Sequence, residues 1–363
     1  MSNIFRIIVF LFVTLNIASS QVLKGCTAFC LKKENTILVG KNLDWPVGDG
    51  FIIINKRSVA KFAMVKPDEK QVHWVSKYGS VTFNQFGEEF PLGGMNEAGL
   101  VVEELSYSPA VYPANESKYS LNELQWIQYQ LDNYCTVGEV IRNLDSLCIS
   151  ELLFGLHYFI CDRSGDAAVI EFIEGKIFCY DGDDLPVPEV SNNSYHNSLK
   201  YLKLHQGFGG DRIPTNGPES PERFVRAAGL LQNFQNAQKM APEDYAFGIL
   251  KNVKQHDTQW SIIYDPQKLK IHFQLRDQRE RQKLDYETIN FSEQSGKDFF
   301  ILGQNCEESD LIQYFVSISA NENLGLLETV FNKLVKLDEM DEIAAHQLME
   351  KFSEYYQKLI NDE

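Results

Sequence analysis

The sequence predicts an α+β protein, with antiparallel sheets covered by blocks of paired helices. Two observations carry this reading. Short runs rich in β-branched and aromatic residues recur in pairs across tight turns. Between them lie longer stretches with apolar residues at helical spacing, and no Pro/Ser-rich linker divides the chain.

Residues 27–32 and 36–42 read as two strands around the turn Glu34-Asn35, with Asp44 just beyond the second. Residues 51–55 form a further strand, and 83–90 read as irregular. Residues 93–99 are expected to be a turn, glycine-punctuated at both ends, feeding a strand over 100–107. Helical spacing follows over 121–133 and 137–147, then strands over 156–161, 167–172 and 176–180. Ser220-Pro221-Glu222 is a helix start: a capping serine, a first-turn proline and an adjacent acid. Residues 258–264 and 269–275 form another hairpin across Asp265-Pro266. Residues 324–360 are helical, with Ala344, Leu348, Phe352, Tyr355 and Leu359 on one stripe. Gly207-Phe208-Gly209-Gly210 follows a helical pattern rather than a strand, so it is a loop and not a dinucleotide fingerprint.

The chemistry begins near the N-terminus. Residues 1–20 read as a secretory signal peptide: Arg6, a short apolar core over 7–17, then Ala18-Ser19-Ser20 at the cleavage site. Residues 21–25 then form a short propeptide before Cys26. Trimmed to Cys26, one residue carries both a thiol (pKa about 8.5) and an α-amine (about 7.7–8.0). The amine is partly unprotonated near neutral pH and can take the thiol proton, which makes a nucleophile and base in one residue. Leu23-Lys24-Gly25-Cys26 faintly resembles a lipobox, but Lys24 is wrong there and the apolar core ends too early. An ordinary buried or disulfide-bonded cysteine is the plainer alternative.

Composition bounds the rest. The 363 residues are 44% hydrophobic and 23% charged, which is globular. The apolar leader is shorter than the about 20 residues that span a membrane, so no stable span is expected. Fifty acidic against 34 basic residues give a net charge of −16, which argues against nucleic acid. Seven cysteines, at 26, 30, 135, 148, 161, 179 and 306, leave one free if six pair. No CxxC pair and no HExxH appears, so no metal or other cofactor is expected. Asn115, Asn192 and Asn290 each open a glycosylation sequon.

Cys26 does not stand alone. Cys26-Thr27-Ala28 through Lys41-Asn42-Leu43-Asp44-Trp45 resembles the start of mature choloylglycine hydrolases. These N-terminal nucleophile amidases include bile salt hydrolases and penicillin V acylases. Four further places agree in order: residues 94–100, 156–165, Ser191-Asn192-Asn193-Ser194, and Glu222-Arg223-Phe224-Val225-Arg226. The resemblance covers about residues 26–275. It implies a four-layer αββα fold led by Cys26, in one amidase domain over 26–363 with a helical C-terminal extension from about 321.

It also implies roles. Cys26 matches the nucleophile and Asp44 the carboxylate that holds the α-amine. Asn192 matches an oxyanion donor, so its sequon is expected to carry no glycan. Arg223 matches the active-site arginine, with Arg226 as fallback. Lys41 stands where the family has arginine, and a lysine lacks the planar fork for two-point contacts. Ser106 stands where the two subtypes carry asparagine or tyrosine. Both are assigned to substrate binding, and together they leave the subfamily substrate open. The expected activity is hydrolysis of a small N-acyl amide through a thioester, in a secreted, lumenal or periplasmic protein that could form a homo-oligomer. The alternative is a catalytically inactive secreted relative that binds or stores a ligand.

Overall fold

The computed structural model describes residues 25–234, 240–292, 298–304, 311–317 and 319–362. The expected leader, most of the propeptide, and Cys306 lie outside these residues.

Two sheets stack face to face. The first is six-stranded, in the order β15 (Glu189–Ser191), β1 (Thr27–Lys33), β2 (Thr36–Asp44), β16 (Thr258–Asp265), β17 (Lys270–Leu275), β18 (Gln282–Asp285). The second is eight-stranded, in the order β14 (Lys176–Asp181), β13 (Ala167–Ile173), β12 (Leu156–Cys161), β9 (Val101–Ser106), β8 (Pro91–Asn96), β7 (Ser80–Asn84), β3 (Phe51–Asn55), β19 (Asp298–Ile301). Every pairing in these two sheets is antiparallel. Two small sheets flank them: β11 (Cys148–Ser150), β10 (Tyr119–Asn122) and β5 (Lys70–Gln71), and the pair β4 (Ala60–Phe62) with β6 (His73–Val75).

Helices cover both outer faces. α4 (Ser220–Phe234) and α5 (Pro242–Val253) pack on β1, β2, β15 and β16, and α3 (Tyr195–Leu202) packs on α4. α1 (Glu123–Asn133) packs on β8 and β9, followed by the short α2 (Val137–Arg142). Asn122 caps α1, its side chain accepting from the Leu124 and Gln125 backbone amides. At the C-terminus, α6 (Ala320–Lys336) and α7 (Glu342–Asp362) pack together. Phe352 and Tyr355 of the predicted stripe meet Phe90 edge-on.

Alternation along β1 explains the layering. Phe29 and Leu31 join Ala227, Phe247 and Leu250 in the core under the helices. Cys26, Ala28 and Cys30 face the other way, into the core between the sheets. The nucleophile candidate is therefore aimed at the sheet–sheet interface by the same period that buries Phe29.

Three expectations change. β2 runs through Asp44, so Asp44 is the last residue of the strand rather than a residue just beyond it. Residues 91–96 are the strand β8, and only the stretch after it turns. The glycines there answer to two needs. A Cβ on Gly94 would stand 2.5 Å from the Val81 carbonyl oxygen, so close strand approach requires it. Gly99, at φ +90°, supplies the turn. The C-terminal helix is two helices, broken where Leu337 caps α6 and Asp338 turns to φ +55°.

Candidate active site

Cys26 lies directly before β1 and is buried, with Gly25 still attached. Pairing within the first sheet brings its partners in. β2 returns beside β1, and β16 pairs with β2 so that Thr258 faces Asp44. The Thr258 hydroxyl donates to Asp44 Oδ1. Asp44 Oδ2 is buried without a hydrogen-bond partner, and Arg223 Nη1 stands 3.9 Å away.

Arg223 enters from the first turn of α4 and is almost fully buried. Its Nη1 donates to the carbonyl oxygens of Gly25 and, at 2.6 Å, Cys26, and to Thr27 Oγ1 at 2.7 Å. Its Nη2 donates to Asn192 Oδ1 at 2.9 Å. A cation at a helix N-terminus gains nothing from the dipole; here buried oxygens compensate it. Arg226, one turn on, donates instead to Thr215 and Gly217 carbonyls and Asn252 Oδ1, so Arg223 is the arginine at Cys26. Asn192, just after β15, donates from Nδ2 to the Ser106 carbonyl at 2.8 Å. That uses one of its two N–H donors.

Ser106 and Cys26 line a shared cavity whose walls are Leu43, Trp45, Phe86, Leu92 and Phe154. It is narrow, about 30 Å³. Lys41 is not among its lining residues. It is buried between the sheets, donating to the Glu104 carbonyl, with Glu104 Oε1 at 3.5 Å and Glu103 Oε2 at 3.8 Å. The six described cysteines are all free thiols. No cluster that could hold a metal occurs among the described residues.

Burial dominates the electrostatics. It pushes the Cys26 thiol up to about 12, with Lys41 opposing the rise and Glu104 adding to it. Burial also pushes Asp44 up to about 7, against the pull of Arg223 and the Thr258 hydrogen bond. Burial disfavours the Lys41 ammonium, yet Glu104, Cys26 and Glu103 hold its pKa above the ordinary value.

These shifts set a pH dependence of stability. Burial raises Asp44 and Glu123 to about 7, and Glu103 and Glu189 to about 8. From about pH 4 to 8 the folded chain therefore binds more protons at these sites than the unfolded chain. Stability then falls as pH rises through that window. His272, depressed by burial, works the other way, and so do the lowered carboxyls of Glu139, Glu222, Glu243, Asp285 and Glu322, but those five act at the acid end, below the interval from pH 5 to 8. Thermal melts of the unprocessed chain are expected to show a higher Tm at pH 5 than at pH 8; a Tm that rises over this interval contradicts the assignment.

Sequence reading missed Thr258, Glu103 and Glu104. Adjacent Glu103-Glu104 inside the apolar run Leu100–Leu105 was the available signal, since consecutive strand residues face opposite sides. Thr258 carried none: it meets Asp44 only through the β2–β16 pairing.

A model of the linear amide C–N hydrolases, choloylglycine hydrolase family, matches residues 26–299 and so begins on Cys26. Penicillin V acylase of Pectobacterium atrosepticum is 26% identical over 267 residues, 62% of this chain and 70% of that protein. Penicillin V acylase from Agrobacterium tumefaciens superposes with a TM-score of 0.70 at 24% identity, over 81% of this chain and 98% of that one. A mutant of the conjugated bile acid hydrolase from Clostridium perfringens gives 0.63 at 18% identity, over 77% and 97%. These likenesses show that the two stacked sheets and their helix layers share the fold of the penicillin V acylase and the conjugated bile acid hydrolase. With most of its length matched from Cys26 onward, the chain belongs to the choloylglycine hydrolase family and is a hydrolase of linear amide C–N bonds.

Proposed function

We propose that this enzyme cleaves a small N-acyl amide with an apolar acyl group through a thioester on Cys26. The observation that carries the reading is the buried Arg223 guanidinium, which bonds the Gly25 and Cys26 carbonyls and has Asn192 and Asp44 beside it. Hydrolysis of the Gly25–Cys26 peptide bond frees the Cys26 α-amine. Arg223 Nη1, bonded to the Gly25 carbonyl oxygen, polarises that bond for cleavage by the chain itself. The freed amine can then donate to the vacant Asp44 Oδ2, a buried acceptor that otherwise costs about 1–3 kcal/mol.

In the mature enzyme the amine takes the thiol proton and the sulfur attacks the substrate carbonyl. The second N–H of Asn192 donates to the developing oxyanion, where one such donor is worth about 3 kcal/mol. The leaving amine takes the proton back from the α-ammonium, and the thioester remains. Water, deprotonated by the α-amine, then releases the carboxylic acid. The apolar walls of Leu43, Trp45, Phe86 and Phe154 suit an apolar acyl group. A leader over residues 1–20 would deliver the enzyme to the secretory, lumenal or periplasmic side.

N-terminal sequencing and intact mass of active protein are expected to find Cys26 as the first residue. Active material that begins at Gln21 would rule out the α-amine as base. A screen of N-acyl amides, with Cys26→Ser as control, then identifies the acyl group and the amine.

A further inference from the structure

We infer that Cys30 and Cys161 are a disulfide-forming site that ties the two sheets together behind the nucleophile. Cys30 lies in β1 of the six-stranded sheet and Cys161 ends β12 of the eight-stranded one. They are 131 residues apart in sequence, yet their Sγ atoms are 3.3 Å apart in the core between the sheets. A bond requires about 2.05 Å, so the sulfurs need to close by only about 1 Å. Neither thiol serves hydrolysis: Cys30 has no free α-amine, and Cys161 contacts Cys30 and the Asp162 carbonyl.

Access supplies the second observation. Cys30 lines a groove of about 470 Å³ between α3, α4 and the segment Pro186-Val187-Pro188. Leu199, Phe208 and Leu231 form its apolar walls, with Lys32 and Lys203 also lining it. Cys30 is only 1% exposed, so a small reagent held in the groove reaches its thiol when the groove wall opens locally, while the sheets stay stacked. Cys161 does not line this groove and is reached through Cys30.

The reaction needs an oxidant, and a low-molecular-weight disulfide RSSR suffices. The Cys30 thiol loses its proton to solvent and attacks RSSR, forming a mixed disulfide and releasing one thiolate. Cys161 then loses its proton and attacks the Cys30 sulfur, releasing the second thiolate. The two released thiolates take up the two protons, giving two RSH. The protein gives up two electrons and two hydrogens, and RSSR is reduced. The hydrogen bond to Cys30, together with burial, holds the Cys161 thiol well above its usual pKa, so the second step is faster at alkaline pH. A link across 131 residues constrains the unfolded chain strongly.

The test uses the full chain carrying Cys26→Ala, which removes a third thiol of the same core. The protein is incubated with bis(2-hydroxyethyl) disulfide at mildly alkaline pH, unfolded and alkylated with iodoacetamide. The expected product lacks two hydrogens and two alkylation sites, and its digest joins the Cys30 and Cys161 peptides. Its Tm is expected to rise by about 5 °C and to return with dithiothreitol. Adding Cys161→Ser is expected to stop at a mixed disulfide on Cys30 with no rise in Tm. Full alkylation of both cysteines after treatment, or a digest that joins either one to a different cysteine, overturns the assignment.

Discussion

Cys26→Ala is expected to abolish amide hydrolysis, with a loss in kcat on the order of 10⁶-fold, while the chain still folds. The substitution removes the only atom in the proposed mechanism that can hold the acyl group. If the proposed self-cleavage uses the same thiol, the variant is also expected to keep Gly25 at its N-terminal side, which intact mass reads. Folding should survive because Cys26 precedes β1 and the change removes a single sulfur from the inter-sheet core, a cost of about 1 kcal/mol. Cys30→Ala is the matched control. Cys30 faces the same core four residues on, but it has no α-amine and no contact with Arg223 or Asn192. It is expected to keep wild-type kcat. Initial rates, intact mass and a thermal melt on both variants decide the matter. A Cys30→Ala protein that melts normally yet is as inactive as Cys26→Ala would show that the nucleophile is misassigned.

How much of this was legible in the sequence follows from what each residue answers to. The β1–β2 hairpin was readable because its turn and its apolar runs are local, and it already set Asp44 near Cys26. β8 was read as a turn, and β7 was passed over apart from its last two residues, read as irregular, because every residue of both is buried and no in–out alternation marks them. Their glycines looked like turn signals when one of them serves strand packing. Arg223 and Asn192 were reached only through resemblance. Nothing local in Pro221-Glu222-Arg223 tells that its guanidinium crosses to the strand that opens at Thr27. The partners of Lys41 lie in the other sheet, 63 residues away, and only the stacking of the sheets brings them to it.

That stacking changes what Lys41 does. Its ammonium does not line the cavity at Cys26 but is locked between Glu103 and Glu104, each almost fully buried. Lys41→Met is therefore expected to cost about 3–5 kcal/mol of stability, because it strands buried carboxylates without a counter-charge. Adding Glu104→Leu should recover most of that loss, since replacing a whole buried pair by apolar groups is often neutral. Lys41→Arg keeps the charge but must fit a planar fork where a point charge sits now, so a smaller loss is expected. The same ammonium works against the rise in the thiol pKa, and by like-charge repulsion it would lower the pKa of the freed α-amine. Without it both groups hold their protons to higher pH. The acid limb of the pH–rate profile should then move upward in Lys41→Met and stay in place in Lys41→Arg. Denaturant titrations of the four proteins and pH–rate profiles of the active ones measure both effects. If Lys41→Met unfolds at the wild-type midpoint and keeps the wild-type profile, Lys41 neither holds the sheets together nor tunes the thiol.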